Sequence, residues 1–291
     1  MRGYLQYLLY LFKLIKKMTK KTLAQVISGM LIFTILAAGC NGRRTKEKIV
    51  VLTFDDAVQS HLDFVAPLLK EKGFGATFFI TAKWMEDTAN FLSWKDVSEI
   101  YKMGFEIGNH TWDHNSLYSD KAVQKMMDNL AKVDSALQAN GVPRPVSFAY
   151  PGNEFSPGSV KKIRELGYRF ARRGMQPEVP YGKMQKGPLF NPEKNNRLVI
   201  PTTADAYPEW TLDYFKSVID RAEEGKAIIL QFHGVPDIAH PWVHTDPDKF
   251  IRFMNYLETI NCKVIALRDL DKYFKIGEVD DPALGYSYGT Q

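Results

Sequence analysis

The chain has 291 residues, 45% hydrophobic and 13% aromatic, with 38 Lys and Arg against 33 Asp and Glu and only two cysteines. It is too long for a disulfide-stapled miniprotein and too apolar for a disordered chain, and it can bury a core in one large domain or two ordinary ones. A formal charge of +5 would suit nucleic acid or an acidic membrane only if the folded part carried it.

It does not. Residues 1–39 hold six basic residues (Arg2, Lys13, Lys16, Lys17, Lys20 and Lys21) and no acidic one, so their removal turns +5 into −1. No nucleic-acid partner is implied. An apolar run from Leu23 to Ala38 leads into Ala37-Ala38-Gly39-Cys40. A basic stretch, a short apolar core and small residues before a cleavage point form a secretory layout, and the cysteine after them resembles a bacterial lipoprotein signal. That resemblance implies that 1–39 is cleaved, that Cys40 carries a lipid, and that the protein sits at the cell envelope, facing periplasm or exterior. Met18 offers a more usual start for such a signal. The alternative, an uncleaved span, needs ~20 apolar residues, and this run is shorter and interrupted by Gln25 and Ser28. Residues 40–47 read as a polar tether. Cys262 is then left without a disulfide partner, and a cysteine metal site is not expected.

From residue 48 short apolar runs alternate with helical periodicity. Ile49–Thr53 is a β-branched run suited to a strand buried on both faces, and Leu62, Val65, Leu68 and Leu69 follow at helical spacing up to Gly73. Further strands are expected at 76–80, 106–109, 146–149, 168–171, 198–200, 227–232 and 263–266. Helices are expected at 94–102, 121–139, 158–166, 212–223 and 247–257. Such repeats imply one α/β domain over 48–275, a distorted (β/α) barrel of seven or eight parallel strands. The proline-rich segment 176–210 breaks the rhythm and reads as a long functional or mobile loop. The tail, 276–291, reads as weakly ordered.

Polar residues stand where the apolar strands end: Asp55 and Asp56, His110 and His114, Tyr150-Pro151-Gly152, Arg172 and Arg173, and His233. In a β/α barrel these are neighbouring points on the rim where active sites are built. Two histidines at i and i+4 can share a metal that a nearby carboxylate completes, although that spacing alone is a weak signal. Two adjacent aspartates after a buried strand need a cation or hydrogen bonds to offset their charge; one of them can serve simply as a helix cap.

Thr53-Phe54-Asp55-Asp56-Ala57, Glu106-Ile107-Gly108-Asn109-His110-Thr111-Trp112-Asp113-His114, Phe148-Ala149-Tyr150-Pro151-Gly152 and Leu230-Gln231-Phe232-His233-Gly234 resemble, in order, the signatures of the polysaccharide deacetylase (NodB homology) family. The resemblance covers about Lys48 to Phe274. It implies Asp56, His110 and His114 as ligands of one divalent metal, zinc first, with cobalt or nickel as alternatives. It implies Asp55 as general base, His233 as general acid and the Gly152 N–H in an oxyanion hole. The expected substrate is an acetylated carbohydrate, foremost N-acetylglucosamine units; O-acetyl groups, another non-peptide C–N bond, or mere carbohydrate binding by an impaired enzyme are the alternatives. No obligate protein partner is implied.

The chain departs from the family pattern at Ala57 for Gly, at Ala149 where Arg is usual, at Gly152 where an aromatic residue is usual, and in lacking an Asp-rich fourth motif. Arg172 or Arg173 is therefore expected either to reach Asp55 in place of the missing arginine or to pair with surface carboxylates. Trp210, Trp112, Tyr207 and Trp242 are candidates to stack on sugar rings, with packing beneath the site the favoured reading for Trp112 inside the histidine motif. His61 reads as exposed or core-edge, and His240 and His244 as loop residues with a lesser claim to substrate contact.

Overall fold

A computed structural model describes residues 47–286. The expected signal, the lipid site at Cys40 and residues 287–291 lie outside the described residues. Strand β1 (Ile49–Phe54) is buried at every position. It pairs in parallel with β7 (Ala227–Phe232) along its whole length, Ile49 against Ala227 through Phe54 against Phe232. Two strands share its other edge: β8 (Lys263–Ile265) pairs with Ile49–Val51, and β2 (Thr77–Ile80) with Thr53 and Phe54. Glycine is required at that fork, because a Cβ on Gly75 would lie 2.7 Å from the backbone nitrogen of Ala266.

β3 (Glu106–Asn109), β4 (Ser147–Ala149) and β5 (Phe170–Arg172) continue the parallel sheet from β2, and β6 (Ala204–Asp205) adds to β7. The order is β5-β4-β3-β2-β1-β7-β6. Ile200 bridges Arg172 of β5, and four residues later the same segment lies on β7. That segment curls the sheet into a distorted (β/α) barrel.

Helices α1 (Ala66–Glu71, entered through a π-helical turn, His61–Val65), α2 (Trp94–Lys102), α3 (Asp120–Ala139), α4 (Pro157–Glu165), α5 (Leu212–Ile219) and α6 (Pro247–Thr259) connect the strands. Local chemistry fixes their starts. The Ser93 hydroxyl accepts the Asp96 N–H while the Asp96 carboxylate accepts the Ser93 N–H at 2.8 Å. α6 opens with Asp246 as cap and Pro247 in the first turn.

Two-residue alternation then decides where the chemistry goes. Val50, Leu52 and Phe54 of β1, with Ile228, Leu230 and Phe232 of β7, join the cluster under the helices. Ile49, Val51, Phe79, Ala149, Phe170 and Ile229 pack inside the barrel. Following the inward parity to the strand ends gives Asp55, His110, Arg172, Gln231 and His233.

Three elements differ from expectation. Residues 198–200 contribute one bridge rather than a strand, because Pro201 interrupts the run and pairing resumes at β6. α5 stops at Ile219, since the chain must turn through Gly225 (φ +79°) to enter β7. The start of the tail is docked: Asp281 is buried and its carboxylate accepts the N–H groups of Asn196 (3.0 Å) and Ala283 (2.9 Å).

Candidate metal centre and active site

Asp55 continues the inward parity of β1, and its N–H donates to the Phe232 carbonyl across the β1–β7 seam at 2.9 Å. Asp56 and Ala57 then adopt φ +79° and +57°. Left-handed backbone at non-glycine residues is costly and gathers at functional sites. Here it recurs at Thr111 (+70°), His114 (+56°) and Asn153 (+64°), all beside the same cavity or its loops. The conformation at Ala57 gives the physical reason why glycine suits that position.

Asp56 Oδ1 lies 3.6 Å from both His110 Nε2 and His114 Nε2. One donor atom from each of the three residues falls within 4.8 Å of the others. His110 Nδ1 lies 2.8 Å from the Ala149 carbonyl, so Nδ1 carries the proton and Nε2 turns its lone pair to Asp56. The Thr81 hydroxyl donates to Asp56 Oδ1 at 3.3 Å. Burial lowers the pKa of both histidines, His114 to about 3, which keeps them in the neutral form that binds cations. Burial, with repulsion from Asp55 and Asp237, pushes Asp56 well above the usual carboxylate range. Two neutral imidazoles and a carboxylate short of positive charge fit a divalent cation.

Arg172, not Arg173, reaches Asp55. Its Nη2 donates to Asp55 Oδ2 at 2.5 Å, and its Nη1 donates to Gln231 Oε1, to Asn153 Oδ1 (3.2 Å) and to Thr202 Oγ1 (3.3 Å). The guanidinium lies over the Phe79 ring, 5.6 Å from its centroid. Burial alone would raise the Asp55 carboxyl, but Arg172, with smaller help from His110 and His233, outweighs it and holds Asp55 below the ordinary value. Ala149 is the direct register partner of Arg172 on the same inward face. The alanine where an arginine is usual leaves room for the arginine of the next strand.

Arg173 points the other way. Fully buried, it makes two hydrogen bonds to Glu178 (2.8 and 2.9 Å) and donates to the Val199 and Gly174 carbonyls, knitting the 176–210 segment together. Trp210 corrects the expectation of a sugar platform. It is 1% exposed and packs edge-on against Phe232 and Phe253, because it faces the helix layer rather than the mouth. Trp112 and Tyr207 are partly buried against the same core. Of the four aromatic candidates only Trp242 is open, at 61%.

Tyr150 and Pro151 are buried, the Tyr150 hydroxyl donating to the Leu198 carbonyl at 2.9 Å, while Gly152 (φ +62°) is at the cavity surface. His233 Nε2 lies 3.8 Å from Asp56 Oδ2, and burial lowers the ring to about 4 against the pull of Asp55 and Asp237. His61 is fully buried, not exposed or at the core edge. The π-helical turn directs it inward, where Nε2 meets the His233 carbonyl at 3.2 Å.

Together these side chains line a cavity of about 400 Å³ that also takes in Trp84, Asn153, Tyr181, Asp205, Gln231 and His240. Sequence reasoning missed Asp205, Gln231, Asn153 and Trp84. Gln231 was findable from its inward parity two residues before His233. Asp205 was not, because it sits in the segment without periodicity. Burial, with repulsion from Asp55 and against attraction to Arg172, raises Asp205 to about 7.

The parallel β/α barrel thus carries at its mouth an Asp-His-His triad that could hold a metal ion, with a second aspartate beside it. The chain matches the Polysaccharide deacetylase family model over residues 42–171. It is 29% identical over 124 residues to the peptidoglycan-N-acetylglucosamine deacetylase of Bacillus cereus, covering 42% of this chain and 55% of that one. It is 29% identical over 127 residues to the peptidoglycan-N-acetylmuramic acid deacetylase PdaA of Bacillus subtilis, covering 43% and 46%. The chain thus matches about half the length of these curated relatives. The fold is similar to that of a family 4 acetyl xylan esterase from Clostridium thermocellum solved with cobalt, with TM-score 0.52, 20% identity, and 77% and 91% of the two chains covered.

Proposed function

We propose that the protein is a metal-dependent hydrolase that removes acetyl groups from a carbohydrate, with N-acetylglucosamine units of a poly- or oligosaccharide as substrate. The observation that carries this reading is the convergence of Asp56, His110 and His114 with Asp55 and His233 on one cavity. The named activities of the two Bacillus relatives point to the same amide chemistry.

Asp56, His110 and His114 would hold the cation. When bound, it supplies Lewis-acid polarisation of the acyl oxygen and acidifies water. Asp55, kept ionised by Arg172, accepts the proton of the attacking water as the new C–O bond forms. Gly152 lines the same cavity, and its N–H would donate to the negative charge that develops on the acyl oxygen. His233 is neutral at rest; negative charge developing beside it raises its proton affinity, so that it takes up a proton from solvent and, as imidazolium, delivers it to the sugar nitrogen when the C–N bond breaks, while Asp55 returns the water proton to solvent. Acetate and the free amine are the products.

The reading extends to location: Cys40 would carry a lipid that holds the domain at the envelope. Cys40→Ala should move the protein from the membrane to the soluble fraction. Acetate release from N-acetylated chito-oligosaccharides and from acetyl-xylan, with and without chelator, tests the chemistry; no release from either by protein supplied with zinc, cobalt or nickel would defeat it.

A further inference from the structure

His61 is fully buried against the rings of Phe54 and Phe78, with centroids 5.6 and 5.3 Å away. Phenylalanine would suit such a pocket better, because an imidazole brings polar atoms that need partners where water is excluded. What the histidine adds is one N–H. Its Nε2 lies 3.2 Å from the His233 carbonyl, and a carbonyl only accepts, so Nε2 carries the proton. Burial lowers the ring to about 4 and keeps it neutral, which leaves Nδ1 as an acceptor with no partner among the described residues. An unmet buried acceptor is a cost that packing alone does not explain.

Ser60 shows the same diversion. It stands at the cap position of the π-helical turn, where a serine hydroxyl ordinarily accepts an N–H of the turn it starts. Here the hydroxyl makes no such bond and accepts the Val235 N–H at 2.8 Å instead. With the Asp55 N–H on the Phe232 carbonyl at 2.9 Å, the backbone is tied to the 55–61 segment at residues 232, 233 and 235. At the residue between, a Cβ on Gly234 would lie 2.7 Å from Val58 Cγ1, so the two stretches of chain touch there as well. The His233 ring lacks such a hold. Its buried Nδ1 meets no hydrogen-bond partner among the described residues, so the ring depends on its backbone for its direction.

Taking His233 as the proton donor to the leaving amine, the role given to it above, we propose that His61 and Ser60 are its positioning residues. They fix the backbone on both sides of His233 so that the ring stays aimed into the cavity of the metal triad. A sugar amine must gain a proton as the C–N bond breaks, whereas para-nitrophenolate leaves without one, so two acetyl donors separate loss of the proton donor from loss of the enzyme. In the zinc-loaded full-length protein, the ratio of kcat on N-acetylated chito-oligosaccharide to kcat on para-nitrophenyl acetate should fall at least about tenfold in His61→Phe. His61→Gln, whose side-chain amide can donate to the same carbonyl, should restore most of that ratio. Ser60→Ala, which leaves the aromatic pocket intact, should lower it in the same direction. A ratio unchanged in both His61→Phe and Ser60→Ala would overturn the proposal, whereas a ratio unchanged in His233→Ala would overturn the proton-donor role on which it rests. Amide hydrogen exchange needs no turnover: residues 233–240 should exchange at least about tenfold faster in His61→Phe and Ser60→Ala than in the wild type. Unchanged exchange in both would overturn the positioning role whatever the activity. Faster exchange in a protein that releases no acetate from either donor supports the backbone ties and overturns the hydrolase reading.

Discussion

Arg172 ends β5 and Asp55 follows β1, strands four places apart in the sheet, yet Nη2 lies 2.5 Å from Oδ2 and both side chains are buried. Arg172 also holds Gln231 and Asn153, so one guanidinium ties the ends of β7 and β4 to the aspartate after β1. Removing one partner of such a pair leaves an uncompensated buried charge and costs about 3–5 kcal/mol.

Arg172→Met should therefore lower stability and raise the acid limb of the rate profile. The folded Asp55 carboxyl lies below its unfolded value, so its stabilising contribution is present above the unfolded pKa and is lost as pH falls through the folded pKa. Without Arg172 the burial penalty dominates, and activity should fall away at higher pH than in the wild type. A pH profile of kcat/KM for the two proteins checks this; superimposable acid limbs would remove Arg172 from the role of base partner.

Arg173→Met serves as the contrast. It should lower the melting temperature, because Glu178 and the Val199 carbonyl lose their donor, but leave the acid limb in place. Thermal unfolding and the same pH profile separate the two arginines.

Because Ala149 and Arg172 are register partners, the arginine should be transferable. Ala149→Arg combined with Arg172→Ala should recover at least about tenfold of the activity lost in Arg172→Ala alone, a coupling of roughly 1.4 kcal/mol. A double variant no better than the single one would show that only β5 can deliver this group.

Asp205→Asn should flatten the pH dependence of stability. With a folded pKa of about 7 against an unfolded value near 4, ionising this carboxyl costs stability as pH rises through that window. Denaturant unfolding at pH 5 and pH 8 should show a smaller decline for the variant than for the wild type; parallel declines would mean that Asp205 does not titrate there.

The barrel was legible because a buried parallel strand leaves a strong mark. Ile49–Phe54 and Ala227–Phe232 are apolar on the helix face throughout, and the ends of these strands and of Glu106–Asn109 carry Asp55, Asp56, His233 and His110. Arg172 against Arg173 was a matter of parity: one residue's shift moves a side chain from the barrel interior to the loop layer. Trp210 and Asp205 were illegible for the opposite reason. Their segment is held by irregular contacts, such as Arg173 to Glu178 and the Tyr207 hydroxyl to Asp205 at 3.2 Å, which follow no period. His61 was misplaced because a π-helical turn rotates it off the face that a regular helix would give it.

The most direct measurement is acetate released from N-acetylated chito-oligosaccharide by the full-length protein, stripped with chelator and then reloaded with zinc, beside Asp55→Asn treated in the same way. Release should follow bound zinc and fall by at least about a thousandfold in the variant, which should still bind one metal per chain. Release that survives both the chelator and Asp55→Asn would contradict it.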